Sequence, residues 1–214
     1  METLISLPSC EYAIAGRPLA GERKSGDAAL VLSVGHRLLV AVVDGLGHGD
    51  EAAMAAELAL ATLRQHADEP LTTLFKQCHE RLQTTRGVAA VMAILDTLES
   101  TLVWAGVGNV EAVLVAAKPG ARRAKQWLTN RGGVVGYRLP VVEARAVPIL
   151  VGDLLIIATD GIDEGFVAEE LQPDTPENMA RSILEQHGKA ADDALVLVLR
   201  WLGGTAGVVL SDPL

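Results

Sequence analysis

Two apolar runs, Ala28 to Val34 and Arg37 to Val43, are separated only by Gly35-His36. Val- and Leu-rich runs joined by so short a link predict a pair of antiparallel strands. A glycine-rich turn at 45–49 follows, and then Glu51 to His66, rich in Ala and Leu and free of Gly and Pro. That composition predicts a long helix with Asp50 as its N-cap. Further on, Leu71, Leu74, Phe75, Cys78 and Leu82 recur at helical spacing, opposite Lys76, Gln77, Glu80 and Arg81. This is the stripe of a second helix lying against a core, and it makes Cys78 a core residue.

After Gly87 the period changes. Val88 to Leu95, Thr101 to Ala105, Val110 to Ala116 and Lys125 to Leu128 are short strand-like runs divided by turns, which predicts a meander and not a βαβ series. Val141 to Val147 and Asp153 to Ala158 extend the strand content. Thr175 with Pro176 behind it opens a helix that Gly188 closes, and Ala194 to Trp201 is a last strand. Two groups of helices among many short antiparallel strands predict an α+β sandwich with helices outside stacked sheets. No repeat, low-complexity tract or linker interrupts the chain, so residues 1–214 read as one domain.

Composition narrows the chemistry. Half of the 214 residues are apolar but only 3% are aromatic, so Ala, Val, Leu and Ile must build the core. The formal net charge of −9 and the lack of a basic stripe disfavour a nucleic-acid partner. Cys10 and Cys78 are far apart and have no ligand-spaced neighbours, which points to a reducing compartment and away from zinc. The Met1–Pro8 segment carries an acid where a secretory signal would be basic, and the longest apolar stretch, Ala146 to Ala158, is broken by Pro148 and Gly152-Asp153. A soluble, cytoplasmic protein with no membrane partner is expected. Arg122, Arg123 and Lys125 form a small basic group that meets an acidic partner or simply faces water, and none of them is read as catalytic.

Four aspartates stand at strand ends: Asp27 after Ser25-Gly26, Asp44 before Gly45, Asp160 before Gly161, and Asp192 beside Asp193 before the last strand. Carboxylates gathered from separate strand ends suit hard cations such as Mg²⁺ or Mn²⁺. Any one Asp-Gly pair is by itself an ordinary turn; the coincidence of several is what points to a metal site. Asp44, leaving its strand directly into Gly45, is the best candidate to bridge two ions.

The ordered set Gly26-Asp27, Asp44-Gly45-Leu46-Gly47-His48-Gly49, Ala158-Thr159-Asp160-Gly161 and Asp192-Asp193-Ala194 resembles the metal-dependent PPM (type 2C) protein serine/threonine phosphatases. Ala105-Gly106-Val107-Gly108-Asn109-Val110-Glu111 and Arg131-Gly132-Gly133-Val134-Val135-Gly136-Tyr137 are similar to their small SpoIIE-like branch. The resemblance implies a four-layer α/β/β/α sandwich of two antiparallel sheets flanked by helices. It also implies two Mn²⁺ or Mg²⁺ ions, with Asp44 bridging both, the Gly45 carbonyl on one, Asp160 and Asp192 on the other, and Asp27 supporting the Gly45 side. Asp44 and Asp160 would be catalytic; Arg23 would clamp the substrate phosphate or, as half of a basic pair in a Gly-rich loop, face water, and His48 would serve as acid or phosphate contact or hold the turn. The reaction implied is hydrolysis of phosphoserine or phosphothreonine by a metal-bridging hydroxide. By the same resemblance the substrates would be phosphorylated regulatory proteins of a stressosome-type scaffold in bacterial stress signalling. Two other readings share this site: a catalytically silent phosphoprotein-binding module and a small-molecule phosphoesterase. Leu46 stands where larger relatives carry a histidine acid, and Asn109 where relatives with a third metal carry Asp, so neither feature is expected here.

Overall fold

The computed structural model describes residues 5–117, 125–166 and 174–204. Strands β1 (Ile5–Leu7), β2 (Cys10–Arg17), β3 (Asp27–Val34) and β4 (Arg37–Gly45) precede helices α1 (Gly49–Gln65) and α2 (Leu71–Leu82). Then come β5 (Val88–Asp96), β6 (Thr101–Val107), β7 (Glu111–Val115), β8 (Lys125–Trp127), β9 (Arg145–Pro148) and β10 (Leu154–Ala158), followed by helix α3 (Pro176–His187) and β11 (Ala194–Trp201). One sheet has the order β1-β2-β11-β10-β7-β8, the other β3-β4-β5-β6-β9, and every pairing is antiparallel. The sandwich is therefore the α/β/β/α arrangement expected, with α1 and α2 against the five-stranded sheet and α3 against the six-stranded one.

Side-chain alternation sets the layers. In β4, Leu38, Val40 and Val42 enter the core between the sheets, while Leu39, Ala41 and Val43 meet α1 and α2. In β11, Leu195, Leu197, Leu199 and Trp201 face the gap, while Ala194, Val196 and Val198 meet Met179, Ala180 and Ile183 of α3. Strands buried on both faces read as unbroken apolar runs, which is why β4, β5 and β11 were so visible in the sequence. Cys10 and Cys78 are buried free thiols, raised by burial to about 11 and about 12, so both are inert core groups.

Three expectations need correction. Cys10–Arg17, to which the sequence pattern assigned no element, is a strand held along its whole length by β11. Its Ala and Gly have weak strand propensity, and the pairing is what orders them. The strand expected from Val141 begins only at Arg145, because Val141 is 82% exposed and the chain gains its partner, β6, only from Arg145 onward. Helix α1 starts at Gly49, with His48 as N-cap and Asp50 inside the first turn, where its charge favours the helix dipole. Thr175 does cap α3, accepting from the Asn178 amide at 3.2 Å. The basic residues Arg122 and Arg123 lie outside the described residues.

Leu197 has no exposed surface and sits in the core between the sheets. Leu197→Ala should cost about 2–5 kcal/mol in urea unfolding, whereas Leu98→Ala, at a site 64% exposed, should stay within about 0.5 kcal/mol.

Candidate metal centre

The pleat delivers the acids to one place. Asp44 continues the Leu38–Val40–Val42 face of β4, and Asp27 continues the Ala29–Val31 face of β3, both toward the gap between sheets. The two are direct partners at the end of the β3–β4 ladder. From the opposite sheet, Thr159 continues the Leu155–Ile157 face of β10 and donates to Asp27 Oδ2 at 2.7 Å. Thr159 Oγ1 also accepts from the Leu195 amide at 2.9 Å, so one hydroxyl ties β10, β11 and Asp27 together. Asp160 and Asp192 follow immediately, where β10 ends and β11 begins.

Neither Asp-Gly pair is an ordinary turn. A Cβ on Gly45 would lie 2.2 Å from the Ala52 carbonyl oxygen, and one on Gly161 would lie 1.8 Å from that of Asp193. Glycine is required at each position because another backbone segment crosses it, and that crossing is what brings α1 and the start of β11 up to the aspartates.

Asp193, which the sequence reading mentioned only as a neighbour, is a buried structural acid. Its carboxylate accepts from the Leu19 amide at 2.7 Å and the Gly26 amide at 2.8 Å, clamping the loop that leads into Asp27. Asn109 donates from Nδ2 to Asp160 Oδ2 at 2.5 Å, and Lys189 Nζ donates to the Asp160 carbonyl at 2.7 Å. Asn109, which in the sequence marked only a missing third-metal ligand, thus orients a carboxylate. Thr159, Lys189 and Asp193 reach the site through pairings far apart in sequence, and the Asp192-Asp193 doublet was the one local sign of this.

Electrostatically the cluster is under-compensated. Burial, and then the charges of Asp193, Asp160 and Asp192, push Asp27 up to about 7 against the pull of the Thr159 hydrogen bond. Burial and the charges of Asp27, Asp160, Asp192 and Asp193 push Asp44 up to about 8. Asp192 is raised mainly by burial, with Asp160 and Asp193 adding and the Asp193 amide and His48 opposing. Among the described residues none of these five carboxylates is paired with a side-chain cation. Lys189 spends its ammonium on a backbone carbonyl and on Asp163, 3.7 Å away.

An all-oxygen donor set with surplus negative charge fits a hard divalent cation. Among the described residues no three acid, imidazole or thiolate side chains are grouped closely enough to hold a metal ion together. Asp27, Asp44, Asp160 and Asp192 are all brought together, with the Gly45 backbone at the same strand end. Of the phosphate candidates, Arg23 is exposed and makes no side-chain hydrogen bond or ion pair among the described residues. His48 is bound through Nδ1 to Glu22 Oε1 at 2.8 Å, and its charge reaches Asp192. Leu46 is 36% exposed beside them.

The α/β/β/α fold thus carries a group of aspartates at the mouth of the inter-sheet gap. The sequence family described as Stage II sporulation protein E (SpoIIE) matches residues 34–202, and the chain belongs to this family of PP2C-type domains. Among curated proteins it is similar to phosphoserine phosphatase RsbX of Bacillus subtilis (strain 168), with 24% identity over 94 residues, 44% of this chain. That match spans 47% of the relative, about half its length. A solved structure from work on the bacterial stressosome, as a modular system adapted to control secondary messenger signalling, aligns with TM-score 0.80 and 33% identity, covering 89% of this chain and 99% of the other. A crystal structure of RsbX in complex with magnesium aligns with TM-score 0.84 and 17% identity over 94% of this chain and all of that one, a likeness of fold.

The pKa shifts set a pH dependence. Asp27 and Asp44 bind protons more tightly folded than unfolded, where a carboxyl titrates near ~3.9. The stability this contributes to the metal-free protein is full below pH ~4 and is lost as pH rises through about 7 and about 8. Cations compete with those protons, so saturating Mn²⁺ should raise Tm by roughly 5–10 °C at pH 8 and by clearly less at pH 6. Differential scanning fluorimetry checks this; a shift independent of pH would remove Asp27 and Asp44 from the ligand set.

Proposed function

We propose that this chain is a divalent-metal-dependent phosphoprotein phosphatase that hydrolyses phosphoserine or phosphothreonine on regulatory proteins of a bacterial stress-signalling complex of stressosome type. The observation that carries the reading is the convergence of Asp27, Asp44, Asp160 and Asp192 at one mouth of the sandwich, without a protein cation, in a chain of the SpoIIE family. Two Mg²⁺ or Mn²⁺ ions would be held there, with Asp44 between them, the Gly45 carbonyl and Asp27 on one side and Asp160 and Asp192 on the other. When bound, such ions lower the pKa of water toward neutrality and neutralise charge on a phosphoryl group.

The chain's own residues supply positioning. Thr159 fixes the carboxylate of Asp27, Asn109 fixes that of Asp160, and Asp193 anchors the loop carrying Gly26-Asp27. Arg23, exposed on that loop, suits bidentate contact with a phosphate. His48, held by Glu22 and within charge range of Asp192, would offer a proton or a hydrogen bond at the phosphate or leaving oxygen. The partner class rests on the RsbX and stressosome likenesses. No described helix is long and apolar enough to cross a membrane, and a cytoplasmic setting follows from the proposed partners.

Hydrolysis of p-nitrophenyl phosphate with Mn²⁺ tests the enzyme reading. Asp44→Asn and Asp160→Asn should each lose roughly 100-fold or more, and chelation should abolish activity; wild type and variants equally inactive across metals would leave a silent module. Release of phosphate from phosphorylated partner proteins, with kcat/KM well above that for small phosphoesters, separates a protein phosphatase from a small-molecule enzyme. Asn109→Ala should leave the fold intact and weaken the apparent Mn²⁺ affinity about 10- to 100-fold, read from the metal dependence of the rate.

A further inference from the structure

A cleft of about 340 Å³ opens beside Asp160 at the end of β10, walled by Glu111, Trp127, Asn109, Asp160, Glu164 and Lys189 and reaching Thr159. The β7–β8 register explains its chemistry. Trp127 pairs with Val113, which faces α3, and Glu111 lies two residues before Val113 on the same face, a diagonal neighbour of the indole. The metal centre does not use either side chain.

Trp127 is unlike the other two tryptophans. Trp104 and Trp201 are fully buried, whereas Trp127 is 42% exposed, braced edge-on against Phe166 with ring centroids 6.0 Å apart. Around it stand three carboxylates, Asp160, Glu111 and Glu164, against one ammonium, Lys189, which is already bound to the Asp160 carbonyl and faces Asp163. Glu111 and Glu164 lie close enough to repel, Lys189 offsets part of that charge at Glu111, and neither carboxylate has an ion pair among the described residues. An aromatic face beside two carboxylates without an ion pair suits a cationic side chain, best the planar guanidinium, which stacks on the ring and binds carboxylate in bidentate fashion.

We propose that this cleft is a specificity subsite for an arginine side chain near the phosphorylated residue of the protein substrate. Asp160 and Asn109 belong to both the cleft wall and the metal centre, so a substrate with its phosphate at the aspartates places a nearby side chain in the cleft. The inference deepens the phosphatase reading and rests on it.

Phosphoserine peptides carrying Arg, Ala or Glu at each position flanking the phosphoserine provide the test, alongside p-nitrophenyl phosphate. In wild type, Arg at one position should raise kcat/KM on the order of tenfold over Ala, mainly through KM, with Glu poorer still. Glu111→Gln and Trp127→Ala should each cut the Arg preference to about twofold or less while leaving p-nitrophenyl phosphate turnover within about twofold of wild type. Glu164→Gln, on an exposed loop, serves as a third variant should either of the others fail to fold by circular dichroism. Equal kcat/KM for the three peptides, or an Arg preference that survives the variants, overturns the subsite. An inactive wild type on p-nitrophenyl phosphate overturns the phosphatase reading, a result distinct from either.

Discussion

Five carboxylates crowd the end of the gap between the two sheets, and the fold must hold them there against their own repulsion. Burial and mutual charge push Asp27 up to about 7 and Asp44 up to about 8, which means the folded chain carries this arrangement at a cost that protons or cations relieve. The rest of the molecule is organised to bear it. Strands β4, β10 and β11, which end or begin at Asp44, Asp160 and Asp192-Asp193, are buried on both faces, so their ends have little freedom to splay apart.

The acids divide into two jobs. Asp193 is saturated by two backbone amides and works as a clamp on the loop before Asp27. Asp27, Asp44, Asp160 and Asp192 keep acceptor capacity to spare, and the groups that touch them, Thr159 and Asn109, orient them without neutralising them. Glycine at 45 and 161 completes the frame, since each lets a second backbone segment pass within contact of an aspartate-bearing turn. A side chain at either position would push α1 or the start of β11 away from the site.

Much of this was legible in the chain. The apolar runs of β4, β5 and β11 and the stripe of α2 announced themselves because each is buried on the faces its period defines. The ordered Asp-Gly pairs marked the site, and the family resemblance extended the same pattern into a fold. Strand β2 was missed because Ala13, Ala15 and Gly16 weaken the strand signal of Cys10–Arg17, which is ordered by eight residues of pairing with β11, 177 to 191 positions away in sequence. Asp193 was passed over for Asp192 because two adjacent acids look alike until their hydrogen-bond partners are known.

The sequence by itself determined which residues alternate and where strands end in Asp-Gly, because periodicity and residue chemistry are local properties. Only the tertiary structure decided which face of each strand looks into the gap, that Thr159 and Asn109 orient the acids, and that Glu111 and Trp127 share a cleft beside Asp160. Those outcomes depend on register between strands distant in the chain, and a shift of one residue would turn every one of these side chains to the opposite face.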